Sequence, residues 1–179
     1  MRGRILSLFG ALRRDRGGNA LVEFAVAFPV LVLLYVGSFV MSDAIACNRK
    51  VTITARALTD LATRYSNLTQ AEAATILSAS SQVMSPYTPA NAVIVLSEIK
   101  VTGSTTATVV WSKALNGTQR TQGSSVTIPN GMAAVDTFLI LGEVQYTYTP
   151  AIRFGITNPL ELSDTIMMVP RVSADIPLS

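Results

Sequence analysis

The sequence predicts an α+β protein in which a long N-terminal transmembrane helix continues into a domain built from a second helix and an antiparallel sheet of three or four strands. Three observations predict it. Phe24–Ser42 is a 19-residue run without a charge, an apolar seam at helical spacing follows it directly, and from Ala92 apolar positions alternate with polar ones. At 179 residues the chain has room for one anchor and one modest domain. Its hydrophobic share of 49% and mean hydropathy of +0.41 are high for a soluble protein, and the excess is concentrated in that one run.

Residues 1–18 hold Arg2, Arg4, Arg13, Arg14 and Arg16 against Asp15, a net +4 in a chain of net +3, so everything after Gly18 sums to −1. The basic character belongs to this leader. No Lys/Arg stripe with interleaved aromatics follows, which argues against a nucleic-acid partner.

The run Phe24–Ser42 is close to the roughly 20 residues needed to cross about 30 Å of hydrocarbon at 1.5 Å per residue. The arginine-rich end should stay in the cytoplasm and the C-terminal part should cross. A secretory signal peptide is the competing reading, with Ser42 and Ala44 as a small-x-small pair, but its apolar core would be only about 7–15 residues. Pro29 removes one backbone hydrogen bond inside the run and predicts a mild bend near Phe28. Glu23 is the only charge between Arg16 and Asp43, and a carboxylate at the rim of a membrane helix calls for a partner or a processing step.

Beyond the run, Ala44, Cys47, Val51, Ala55, Leu58, Ala62 and Tyr65 recur at spacings of three and four, so one helix is expected from Asn19 to Ser66 with this seam turned toward a domain. Cys47 reads as a small seam hydrophobe. As the single cysteine it has no intramolecular disulfide partner, and the chain has no histidine to serve as base or metal ligand.

Thr69-Gln70-Ala71-Glu72 has capping-box spacing and opens a second helix expected to run to about Met84, before Ser85-Pro86 and Pro89. Val93, Val95, Ile99 and Val101 share one strand face. Thr105, Ala107, Val109 and Trp111 share a face of the next strand, with the Gly103-Ser104 turn between the two. Asn116-Gly117 marks another turn into a polar loop, and Ser124–Ile128 is a short strand closed by Pro129-Asn130-Gly131. In Thr137–Thr149, Phe138, Ile140, Val144, Tyr146 and Tyr148 should face the helical seam, and Pro150 ends the ladder. Ser163–Val169 adds an edge strand before Pro170.

The carboxylates an enzyme would use are Glu98, Glu143 and Asp136. Glu98 and Glu143 fall on the outward phase of their strands and no nucleophile–base pair is recognisably spaced, so they read as solvated charges. No catalytic, cofactor-binding or metal-binding residue is assigned.

The segment from Gly18 through Asn19-Ala20-Leu21-Val22-Glu23-Phe24 resembles the recognition site of type IV prepilin-like proteins, with a glycine before the cut and a glutamate at mature position five. The wider run GGNALVEFAVAFPVLVLL is similar to TadE/TadG-like minor pilins of the tight-adherence (Tad, or Flp) system. So is the stretch from Tyr146 to Arg171, which contains YTPAIRFGITNPLELSDTIMMVPR. The resemblance implies a minor pilin or pseudopilin with a pilin-like domain. Residues 1–18 would be a cleaved cytoplasmic leader, 19–45 the transmembrane part of the helix and 46–179 a periplasmic α+β domain, all held at a bacterial inner membrane. It also implies cleavage of Gly18-Asn19 by a prepilin peptidase, with Gly17 as a poorer rival cut. Glu23 would then pair with a neighbour's Asn19 ammonium. The implied partners are that peptidase, other pilin-like subunits, the inner-membrane assembly platform and the lipid bilayer. The alternative is an uncleaved bitopic scaffold or sensor.

Overall fold

The computed structural model describes residues 17–150, 152 and 158–179. The arginines of the leader therefore lie outside the described residues. Helix α1 spans Gly17–Ala62. It ends four residues short of the expected Ser66, because the last turn tightens: Arg64 N–H donates to Leu61 C=O, Tyr65 N–H to Ala62 C=O, and Thr63 Oγ1 to Asp60 C=O at 2.8 Å. The chain divides between Ser42 and Asp43 into two compact units.

In the first unit, α1 is apolar and solvent-exposed, and none of its most apolar 18-residue window is buried. It is long and apolar enough to cross a membrane. The two serine hydroxyls of the run are satisfied within the helix: Ser38 Oγ donates to Tyr35 C=O and Ser42 Oγ to Ser38 C=O, each at 2.8 Å.

The second unit is a two-layer α+β domain. Helix α2 (Gln70–Ser81) starts on the expected capping box, with Glu72 N–H donating to Thr69 Oγ1 and Thr69 N–H to the Glu72 carboxylate. A 3₁₀ turn, Gln82–Met84, carries it to the expected end. The strands are β1 (Ala92–Val101), β2 (Thr106–Leu115), β3 (Ser125–Thr127), β4 (Phe138–Tyr148) and β5 (Leu160–Met168). All pairings are antiparallel in the order β3-β2-β1-β4-β5. The sheet thus has five strands where three or four were expected, since short β3 does pair with β2 and β5 begins three residues earlier than Ser163.

The helical seam is buried as expected. Cys47, Val51, Ala55, Leu58 and Ala62 pack on Ile94, Leu96, Ile140, Val144, Tyr146 and Tyr148. A second cluster, including Ile99, Val101, Val109, Val126, Leu139 and Leu141, occupies the opposite face of the sheet. Two expectations are corrected here. The face of β1 toward α1 is Ala92, Ile94, Leu96 and Glu98, so Glu98 is not on the outward phase of its strand, and Ile99 and Val101 lie on the opposite face in the second cluster. Trp111 does not share a face with Ala107 and Val109: Glu98 pairs with Trp111 but Ile99 pairs with Val109, so Val110 is an extra residue that turns Trp111 to the helix side.

Pro170–Ser179 closes the domain as an irregular strap that periodicity does not reveal. Leu68 N–H donates to Pro177 C=O, Ser179 N–H to Leu68 C=O and Gln70 N–H to Ser179 C=O. Arg171 bonds Thr63 C=O through its backbone and pairs with Asp60 through its guanidinium at 2.6 Å.

The tightest packing point is Gly142 on β4. A Cβ there would lie 2.2 Å from Thr59 Oγ1, 3.2 Å from Ala55 O and 3.3 Å from Leu58 Cδ2. We expect Gly142→Ala to destabilise the domain by about 1–3 kcal/mol, the range for overpacked cores, with Thr59→Ala in the same chain restoring part of it. Thermal unfolding monitored through the near-UV signal of Trp111 measures both. An unchanged midpoint in Gly142→Ala would mean that the helix is free to shift.

Candidate functional site

The residues singled out for processing all lie on α1. Gly18 and Asn19 fall in its first turn, not in an extended segment. That turn is a weak piece of helix. Its first four N–H groups have no intrahelical acceptor, and glycine is about 1 kcal/mol less favourable in a helix than alanine. The Gly18-Asn19 bond is thus placed where backbone unwinds at low cost. Glu23 follows, exposed, on a helix face with Val22, Val26, Ala27, Val30 and Leu31. Phe24, 60% exposed, packs along its own helix, its ring tilted against Phe28 at 5.5 Å. Pro29 sits inside α1, where it can donate no bond to Ala25 C=O. The result is one carboxylate on an exposed apolar surface on which no other element packs among the described residues.

The domain contains a second polar constellation that sequence reasoning did not assemble. Asp43, the first residue after the uncharged run, takes hydrogen bonds from two tyrosine hydroxyls: Tyr87 to Oδ1 at 2.9 Å and Tyr148 to Oδ2 at 2.6 Å. Tyr87 also donates to Asp43 C=O at 3.1 Å, and its ring meets Tyr146 and Tyr148 edge-on at 6.2 and 6.5 Å. Burial and, next, the bond to Asp43 push the Tyr87 hydroxyl up to about 12; Tyr148 is raised for the same reasons. The available signal was a charge placed directly after an apolar run. Nothing in the spacing ties it to residues 44 and 105 positions away.

The structure keeps the three candidate carboxylates apart. Asp136, at φ +67°, pairs with Lys100 at 3.0 Å. Glu143 is held in a two-point ion pair by Arg120, Nε to Oε2 at 2.6 Å and Nη2 to Oε1 at 2.7 Å, on the sheet face away from α1. Glu98 is not a solvated strand charge. It is 1% exposed, on the α1 face, and accepts from Ile176 N–H at 2.6 Å, while Trp111 Nε1 donates to Ile176 C=O at 2.7 Å. Burial pushes the Glu98 carboxyl up to about 7; the Ile176 bond opposes this and nearby Asp175 adds to it. Among the described residues no group of three or more His, Cys, Asp or Glu side chains comes together that could hold a metal ion.

Compared with protein-family models, curated proteins and solved structures, the chain matches none.

Glu98 generates a pH prediction. Its folded value lies above the ordinary 4.5, so the folded chain holds the proton more tightly. The resulting stabilisation is complete below about pH 4.5 and is lost as pH rises through about 7, a change on the order of 3 kcal/mol. Asp60 and Glu72 are lowered by Arg64 and by Thr69 respectively and act in the opposite direction. The difference between wild type and Glu98→Gln isolates the buried group. Urea midpoints at pH 5 and pH 8 should diverge less in Glu98→Gln than in wild type, and an identical pH slope in both would place the titration elsewhere.

Proposed function

We propose that the chain is a structural subunit of a membrane-assembled filament system, a minor pilin or pseudopilin of the TadE/TadG-like kind, cut after Gly18 by a prepilin peptidase. One observation carries the reading: Glu23 stands alone on the exposed apolar face of α1, five residues after Gly18 in the helix's first turn. An isolated carboxylate in hydrocarbon costs roughly 2.5–3.5 kcal/mol at the centre of the span and less near its end. Cleavage would create an α-ammonium on Asn19, one turn before Glu23. In low dielectric, pairing of Glu23 with the ammonium of a neighbouring subunit would reward a single axial register and penalise others. The exposed phenylalanines, leucines and valines around it supply the surface for lipid before assembly and for neighbouring helices after it.

On this reading the protein is held at the bacterial inner membrane with its arginines cytoplasmic and its α+β domain periplasmic. Its partners are the peptidase, other pilin-like subunits, the assembly platform and the bilayer. The second reading, an uncleaved bitopic scaffold or sensor, draws on the position of Gly18-Asn19 inside α1, since a protease needs that turn unwound.

Removing 18 of 179 residues from a 19.1 kDa chain lowers the mass by about 2 kDa. Coexpression with a prepilin peptidase should yield a membrane-extracted protein that begins at Asn19 by N-terminal mass spectrometry. Gly18→Ala should retain the leader, and Glu23→Ala should lose association with neighbouring subunits. A wild-type chain that keeps Met1 while filaments form normally would favour the uncleaved anchor.

A further inference from the structure

Asp43 is a half-buried carboxylate that makes no ion pair among the described residues. Its two oxygens each accept from one tyrosine hydroxyl, which leaves further lone pairs on both. The tyrosine hydroxyls direct their O–H groups to Asp43, and their oxygens present lone pairs of their own. Around them lies a cleft of about 270 Å³ lined also by Thr88, Asn91 and Thr149. This is just below the usual range for ligand sites, about 300–1,000 Å³, and suits a headgroup-sized ligand. The cleft offers a negative centre ringed by oxygen acceptors.

The complementary group is a cation with several N–H donors. The position of Asp43 selects its source. It follows Ser42, the last residue of the uncharged run, and one residue of helix adds about 1.5 Å. If Phe24–Ser42 spans, as the proposed function requires, Asp43 stands at headgroup level, where tyrosines also concentrate. We propose that the Asp43–Tyr87–Tyr148 cleft binds the primary ammonium of an aminophospholipid headgroup, with Asp43 as counter-ion and the two hydroxyl oxygens as further acceptors. Such a site ties the base of the domain to the membrane surface. It discriminates by hydrogen bonding, since a trimethylated headgroup carries the charge but no N–H.

The test uses the full-length chain in phosphatidylglycerol nanodiscs doped with a minor fraction of either phosphatidylethanolamine or phosphatidylcholine, with retained lipid read by native mass spectrometry. Wild type should retain phosphatidylethanolamine about tenfold above its bulk ratio, the scale of one charge-assisted hydrogen bond, and phosphatidylcholine near its bulk ratio. Asp43→Asn removes the charge and keeps the side-chain shape: one oxygen still accepts from a tyrosine, the new NH2 can donate to the other tyrosine's oxygen, and Tyr87 retains the Asp43 C=O, so the fold should hold by circular dichroism while the enrichment disappears. Tyr87→Phe, which removes one acceptor, should show an intermediate enrichment. Equal retention of both doped lipids, or undiminished enrichment in both variants, overturns the proposal. So does carboxylate–amine crosslinking of Asp43 to a lysine of another protein in place of lipid. A chain that does not enter the nanodisc overturns the span, and this site with it; a chain that enters without lipid preference overturns the site alone.

Discussion

The domain depends on how closely α1 can approach β4. Gly142 leaves the gap into which Thr59 fits, and Thr59 turns its hydroxyl back to Ala55 C=O at 2.7 Å, so a polar side chain can be fully buried at the closest point of contact. With that distance set, Val51, Ala55, Leu58 and Ala62 pack with Ile94, Leu96, Ile140 and Val144 in one buried cluster, and the sheet's helix-facing side is excluded from water. The small residues of the seam serve the same geometry: alanine at 55 and 62 keeps the helix near the sheet, and larger side chains there would lift it. Because the chain has a single cysteine, this packing and the closing strap carry the stability that a disulfide supplies in many exported domains.

Much of this was legible in the sequence because its signals are periodic. The seam from Cys47 to Ala62, the capping box at Thr69 and Glu72, and the hairpin around Gly103-Ser104 each follow from spacing alone. β4 was legible too, since its alternation places Tyr146 and Tyr148 on the side where the helix lies. The failures are instructive. β1 reads AVIVLSEIKV, apolar on both faces, and alternation does not decide which face meets α1 when both are covered. The extra residue at Val110 has no composition signal, yet it moves Trp111 to the other side of the sheet. The strap, with neither period, gives no sequence sign that it passes through the core.

The candidate site divides along the same line. Gly18, Glu23 and Phe24 are adjacent in sequence, and a local motif is readable wherever the chain carries it. The Asp43 constellation is not local: it forms only when the turn bearing Tyr87 and the end of β4 bearing Tyr148 meet α1. Each of its residues alone has an ordinary explanation, a charge ending an apolar run or an aromatic closing a strand. Their combination concentrates acceptors around one carboxylate that makes no ion pair among the described residues. A sequence pattern gives residues; only the packing of α1 on the sheet makes them a site.

Glu98 follows from the same reasoning about irregular backbone. Ile176 belongs to the strap, outside any ladder, yet its side chain is fully buried, so its N–H and C=O need partners that no strand supplies. Side chains supply both, Glu98 for the N–H and Trp111 for the C=O. An apolar residue at 98 would remove the carboxylate but leave the Ile176 N–H orphaned in the core, a loss of about 1–3 kcal/mol. A carboxyl oxygen accepts that bond whether or not the group is protonated. The raised carboxyl is therefore the consequence of drawing an irregular segment across the core: burial disfavours the charge, the Ile176 bond recovers part of that, and Asp175 keeps the recovery incomplete.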